Sequence, residues 1–268
     1  MRIFRTLLIC CLAVFCVTSS VYGQNDNSAT QNTAAENTQT LQKNNSAPFD
    51  NQSATPKKVL VIGAHPDDPE TGCGGTIALL KEKGYDVVCV YLTKGERGIP
   101  GKSLDEAAEI RTKESEESCK ILGVRHIFLT QIDGATEVNA QRYEEMLSLI
   151  KQENPDIVFT HWPVDGHRDH RVCSILTYDA WRRSGYSFEL YYYEVMSGTQ
   201  TQMFDPTIYV DISSVQEIKL KSCYAHKSQF VDQEDVMKGW HIPMQNFRGI
   251  ESQTVAAEAF VKQIRPKQ

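Results

Sequence analysis

Little in this chain suits a polyanionic or thiol-held partner. Its 268 residues contain no strong basic block, and 28 Lys and Arg against 34 Asp and Glu leave a net charge of −6. Nucleic acid and anionic membrane surfaces both select clustered cations, so neither is an expected partner. Of the 8 cysteines, Cys10, Cys11 and Cys16 fall in an N-terminal apolar run, while Cys73, Cys89, Cys119, Cys173 and Cys223 are scattered with no CxxC spacing. Neither a zinc–thiolate site nor a disulfide framework is indicated, and these cysteines read as core residues. The chain also lacks an internal repeat, a GxGxxG and a GxxxxGK[ST].

No apolar run is a comfortable membrane span. The N-terminal one, residues 7–17, is short, follows Arg2 and Arg5, and precedes the small residues of "SSVYGQ". That is the pattern of a secretory signal over 1–23. Cys16 is preceded by "AVF", a poor lipidation box, so cleavage near Gly23 is expected rather than a lipoprotein, placing the mature chain outside the cytoplasm, secreted or periplasmic, with no transmembrane span. Residues 24–56 are Asn, Gln, Ser, Thr and Ala with few large apolar side chains, a composition that cannot offset its own ordering entropy and is expected to form a disordered linker. Residues 57–268 are of a size to make one domain.

From there apolar runs alternate with amphipathic stretches. "KKVLVIGA" and "YDVVCVYLT" are continuous apolar runs of the kind a strand covered on both faces requires. "HIFLT", "DIVFTHW", "FELYYYEV" and "TIYVDI" add four more strands. Helices are predicted over about 74–83, about 103–122 with Ser103 or Asp105 as cap, about 138–153, about 171–183, about 213–228, and through the closing "VAAEAFVKQ". Strands alternating with helices define a layered α/β domain with a mostly parallel sheet. In an order such as 3-2-1-4-5, strands one and four are neighbours, and a crevice opens at their carboxyl ends.

Both unusual clusters of the sequence lie at those two ends. "AHPDD" follows strand one, and "HWPVDGHRDH" follows strand four. Two adjacent carboxylates at a buried edge repel unless a cation compensates. His65 and Asp68, three apart around Pro66, can face one ion; one histidine of the pair His167 and His170 would complete a His2Asp set. Three protein ligands with an open position is the pattern of catalytic zinc, although mixed nitrogen and oxygen ligation also admits iron or another divalent ion. The remaining groups suit amide hydrolysis: Asp67 as the base beside a metal-activated water, His167 as oxyanion stabiliser or acid, and Asp169 as the carboxylate that holds His167. Taken alone, a strand-end His-Pro-Asp-Asp is an ordinary solvated turn; the meeting of two such clusters is what favours a metal.

Other residues carry less. Arg111 reads as a helix salt bridge with Glu114; His226, Ser228 and Gln229 in "HKSQF" can border the cleft; His161 reads as a packing or supporting residue. The glycines of "GCGG" could suggest a phosphate loop, but the two carboxylates before them would repel phosphate.

"AHPDDPETGCGGTIALL", "EIRTKESEESCKILGV", "PVDGHRDH" and "AHKSQF" together resemble, in order, the signature blocks of the LmbE/PIG-L family of zinc-dependent de-N-acetylases. The resemblance implies a Rossmann-like fold and removal of an N-acyl group, usually acetyl, from an amino sugar of the N-acetylglucosamine type. It implies zinc on His65, Asp68 and His170, with Asp67 as base, His167 at the oxyanion and Asp169 supporting it. It also gives Arg111 a substrate-positioning role. Arg168 stands where many members have proline, and Pro69 where many have glutamate; neither removes a ligand or the base, though both can alter loop shape and substrate access. The rival readings are a zinc amidase for another amide, a catalytically silent glycan-binding module, and a nucleotide-binding regulator. The oligomeric state is left open.

Overall fold

The computed structural model describes residues 57–230 and 240–266. The expected signal and linker lie outside these residues.

A seven-stranded sheet in the order β3-β2-β1-β4-β5-β7-β6 organises the chain. Its parallel part is β1 (Lys58–Gly63), β2 (Asp86–Tyr91), β3 (Arg125–Phe128), β4 (Ile157–His161) and β5 (Glu189–Tyr193). The expected 3-2-1-4-5 order is therefore present. Beyond β5 the sheet turns antiparallel: β7 (Ala257–Lys262) pairs with both β5 and the edge strand β6 (Ile208–Asp211).

The central strands are apolar throughout because helices cover both faces. Along β1, Val59 and Val61 join one buried cluster with Ile77 and Cys119, while Leu60 and Ile62 join another with Met146 and Leu176. The first cluster belongs to the layer of α1 (Asp68–Glu82) and α2 (Leu104–Leu122), the second to that of α3 (Ala140–Glu153) and α4 (Arg168–Arg183). Each such fully buried aliphatic side chain contributes about 1.5–3 kcal/mol. All five described cysteines are buried free thiols within this packing.

Four elements differ from expectation. The closing segment is strand β7, not a helix: its alanines and Glu258 favour helix locally, but pairing with β5 and β6 buries the residues from Ala257 to Phe260 and overrides that preference. The first helix begins at Asp68, six residues before the expected start. Pro69 sits in its first turn, where a missing N–H costs nothing. The glycines that delayed the expected start are there for packing. A Cβ on Gly72 would stand 2.3 Å from the Tyr193 ring, and one on Gly75 would stand 2.6 Å from Ile212. They form no phosphate loop. The last helices are α5 (Gln216–Tyr224), shorter than expected, and α6 (His241–Ser252), which the sequence reading did not assign.

Candidate active site

β1 and β4 are hydrogen-bonded neighbours, so the segments that follow them emerge side by side. After β1 the chain turns within four residues into α1. Gly63 permits this, since a Cβ there would meet Pro69 Cδ at 2.6 Å. Asp67 occupies the N-cap position of α1 with φ 108°, a left-handed conformation costly for a residue with a side chain. Asp68 follows as the first helical residue, and the His65 N–H donates to its Oδ2 at 2.7 Å. After β4, His167 caps α4, which starts at Arg168 and carries Asp169 and His170 in its first turn.

These two segments bring His65 and His170 to the two oxygens of the Asp68 carboxylate. Nδ1 of His65 lies 3.3 Å from Asp68 Oδ2, and Nε2 of His170 lies 3.3 Å from Asp68 Oδ1. Ring nitrogens of His65, His167 and His170 also lie within 4.8 Å of one another. The outer nitrogen of each proposed ligand faces a further carboxylate. Nε2 of His65 is 3.2 Å from both Asp133 and Asp169, and Nδ1 of His170 is 3.2 Å from Asp165. Carboxylates behind imidazoles fix the tautomer that turns a lone pair inward, the usual arrangement around a metal. Burial disfavours a charged imidazole, yet the surrounding carboxylates, led by Asp133 for His65 and Asp68 for His170, raise both pKa values, that of His170 to about 9. The cluster thus calls for positive charge at its centre. Its nitrogen and oxygen donors fit a divalent cation.

His161, at the end of β4, is closer to this centre than a packing role requires. It is buried, its ring stacks on His170 at 4.0 Å, and its Nε2 lies 3.2 Å from Asp68 Oδ2 and 3.1 Å from the Ala64 nitrogen. Burial, with the charge on His170, pushes its pKa down to about 4, so it stays neutral. Asp68, His161 and His170 form an alternative group able to hold a metal.

The other predicted residues are placed as follows. Asp67 lines the cavity, and burial drives its carboxyl up to about 6 despite the nearby Arg111 cation. Arg111 does not pair with Glu114. It is buried and donates to the Pro66 carbonyl at 2.5 Å and to Asp67 at 3.1 Å. Glu114 instead accepts from the N–H and hydroxyl of Ser228, tying the "HKSQF" segment to α2. Gln229 donates to the Gly98 carbonyl and lines the cavity, whereas His226 is fully buried behind it, 3.2 Å from Glu70. His167 lines the cavity, and its Nδ1 accepts the N–H of Asp169 at 3.3 Å. The hydrogen bonds of the Asp169 carboxylate go elsewhere than to His167. The carboxylate is held by His65, the Gly134 N–H and the Thr136 hydroxyl.

Asp133 and Asp165 were missed as supports of the proposed ligand imidazoles. Asp165 stands inside the quoted "PVDGHRDH", two residues before His167, and accepts that residue's N–H at 2.7 Å. The available signal for Asp133 was an Asp-Gly pair after β3, at the same carboxyl edge of the sheet. The cavity these groups share is about 490 Å³, within the range of small-molecule sites.

Buried carboxylates and imidazoles that could hold a metal, gathered at the carboxyl edge of a parallel sheet, fit a metal-dependent hydrolase. Residues 60–181 match the family profile described as PIG-L: GlcNAc-PI de-N-acetylase. The chain is 36% identical over 199 residues to diacetylchitobiose deacetylase of Thermococcus kodakarensis, covering 69% of this chain and 73% of that protein. It is 26% identical to a probable N-acetyl-alpha-D-glucosaminyl L-malate deacetylase 2 of Bacillus cereus, covering 71% of this chain and 90% of that protein. Among solved structures, N,N'-diacetylchitobiose deacetylase from Pyrococcus horikoshii, complexed with its inhibitor MPG, superposes with a TM-score of 0.69 at 27% identity, covering 90% and 95% of the two chains. The chain belongs to the PIG-L family of deacetylases.

Proposed function

We propose that the protein hydrolyses the N-acetyl group of an N-acetylglucosamine-type sugar or glycoconjugate, with zinc held by His65, Asp68 and His170. The observation that carries this reading is the convergence of Asp67, Asp68, His65, His167 and His170 on one cavity from adjoining strand ends. The names of the relatives, two of them diacetylchitobiose deacetylases, support the acetamido-sugar substrate.

When bound, such an ion supplies Lewis-acid polarisation of the amide carbonyl and lowers the pKa of water from about 15.7 towards 7. The rest falls to the chain. Asp67, adjacent to Asp68 and steadied by Arg111, takes the proton of the attacking water and returns it to the departing amine. A carboxyl with a pKa near 6 can do both at neutral pH. His167 has its Nδ1 occupied by the Asp169 N–H, so its proton sits on Nε2 and can donate to the developing oxyanion. Burial and the nearby His65 and His170 charges lower its pKa, so it donates as a neutral imidazole. Asp169 and Asp165 hold the ligand imidazoles from behind. Arg111 acts through Asp67 rather than on the substrate, being buried and already engaged.

The test is acetate release from N,N'-diacetylchitobiose, with metal analysis before and after chelation. Activity that disappears with the metal and returns best with zinc supports the reading. Undiminished turnover in the fully metal-depleted protein sinks it. The leader-like composition of residues 1–23 supports a secreted or periplasmic location, which N-terminal sequencing of the protein from culture fractions would check.

A further inference from the structure

Thr201, in the segment after β5, faces the carboxylate that stands behind His170. The two segments meet as a short piece of antiparallel backbone. The Gly166 N–H donates to the Gln200 carbonyl at 2.8 Å, and the Gln202 N–H donates to the Val164 carbonyl at 3.0 Å. Those bonds flank Asp165 and Thr201, which stand opposite each other as a bridge pair with no backbone bond of their own. In pairs of that kind the side chains approach most closely. Both residues are buried, and the Thr201 hydroxyl donates to Asp165 Oδ2 at 2.9 Å.

The hydroxyl has a direction. Its oxygen accepts the Val195 N–H at 2.9 Å. Its one proton has two acceptors within reach, Asp165 Oδ2 and the Val195 carbonyl, each at 2.9 Å. The Val195 carbonyl already takes the Thr201 N–H at 3.2 Å, and a carboxylate is the stronger acceptor. The proton therefore goes to Asp165. The other oxygen of that carboxylate accepts the His167 N–H at 2.7 Å and lies 3.2 Å from His170 Nδ1. A bond on each oxygen stops the carboxyl group from turning and keeps Oδ1 aimed at His170. Without the hydroxyl, Oδ2 would lose a donor inside the protein, a costly state that favours rotation of the group. Val195 and Gln200 of the same segment line the cavity, so one stretch of chain forms part of its wall and braces its centre.

We infer that Thr201 is a positioning residue for the metal centre: its hydroxyl fixes the Asp165 carboxylate, which in turn orients His170 towards the proposed ion. The inference rests on the metal-site reading above.

The experiment uses the full chain as wild type and as the variants Thr201→Val, Thr201→Ser, Asp165→Ala and the double variant Asp165→Ala with Thr201→Val. Zinc affinity is measured by chelator competition, and urea unfolding of each metal-free protein reports on the fold. Thr201→Val keeps the shape without the hydroxyl and should weaken zinc binding by roughly tenfold, the lower end of the scale for groups behind a ligand. Thr201→Ser should recover most of that affinity. Since the hydroxyl acts through Asp165, adding Thr201→Val to Asp165→Ala should weaken binding by no more than about twofold further. A Thr201→Val protein that holds zinc as tightly as wild type overturns the proposal, whatever its stability, because the hydroxyl is then purely structural. A serine variant as weak as the valine one overturns it too, as do losses that multiply in the double variant. Should the valine variant not fold, Thr201→Ala takes its place against Thr201→Ser with the same two outcomes. Wild type that binds neither zinc nor another divalent ion sinks the metal-site reading and the proposal with it, whereas tight binding by wild type and Thr201→Val alike sinks the proposal alone.

Discussion

The carboxylate of Asp169 lies 3.2 Å from Nε2 of His65, and it is the backbone N–H of Asp169 that donates to the ring of His167, two residues before it. Three donors hold the carboxylate: the His65 imidazole, the Gly134 N–H at 2.7 Å and the Thr136 hydroxyl at 2.6 Å. These partners, His65 among them, keep the carboxyl well below its usual pKa despite burial, so it is a fixed negative charge. Its geometric effect is to hold the proton of His65 on Nε2 and turn Nδ1 towards Asp68.

Replacing Asp169 with Asn therefore tests metal retention first. The expected result is a roughly 10- to 100-fold weaker metal affinity, the usual scale for losing a carboxylate behind a ligand imidazole. Chelator competition on the purified protein would measure it. A variant that keeps wild-type metal affinity but loses kcat would mean that Asp169 acts through His167 after all.

If Asp67 is the base, as proposed, it sets the acid side of the rate profile. Burial raises its folded-state pKa to about 6, with Arg111 pulling the other way, and a base works only when ionised. The rate should thus fall as pH drops through about 6, or through a somewhat lower value with a cation held beside it at Asp68. Removing the Arg111 charge takes away a stabiliser of the carboxylate, so Arg111→Gln should move that limb to higher pH. Asp67→Asn should lower kcat by about 10²- to 10⁴-fold with the metal still bound. The measurements are kcat/KM against pH for both proteins and metal content for the asparagine variant. An acid limb that stays put in Arg111→Gln would detach Arg111 from the base.

The parts of this arrangement that could be read from sequence are those in which one segment carries its own reason. Residues 59–62 are apolar on both faces, which requires cover on both sides, and "HPDD" after the next two residues is unintelligible as core. What could not be read depends on distant partners. Ala257 to Lys262 has helix-forming residues and becomes a strand only because β5 and β6 flank it. Glu258 on that strand is buried because its carboxylate accepts the Gly75 and Thr76 N–H groups and the Lys219 ammonium. Asp133 becomes part of the site only once β3 is seated two strands from β1.

The glycine cluster gives a stability prediction independent of any ligand. Tyr193 packs where a Gly72 side chain would be, and its hydroxyl donates to the Ile62 carbonyl at 3.0 Å, so the ring cannot simply swing aside. Gly72→Ala should destabilise the fold by about 1–3 kcal/mol through overpacking, even though alanine is the better helix former. Urea unfolding would show it, and an alanine variant as stable as wild type would mean the α1–β5 contact yields easily.

Glu70 and His226 form an ion pair in which both side chains are fully buried, and the Tyr91 hydroxyl donates to the same carboxylate oxygen at 2.6 Å. Burial opposes ionisation of each, but the facing charge outweighs it: His226, with help from Tyr91, holds the Glu70 pKa down, and Glu70 holds that of His226 up. The depressed carboxyl contributes stability that is present above its unfolded pKa of about 4.3 and is lost as pH falls through the folded value. The raised imidazole contributes stability that is complete below about 6.5 and is lost as pH rises through its folded value. The pair should accordingly stabilise most between those limits. Near pH 6, Glu70→Gln should cost about 3–5 kcal/mol, because it leaves a buried imidazole without its counter-charge. It should also flatten the decline in stability on the alkaline side, where wild type loses the His226 proton. Urea titrations at pH 5, 6 and 8 would separate the two effects. Equal stability of Glu70→Gln and wild type at pH 6 would show that the pair contributes nothing to holding "AHKSQF" against α1.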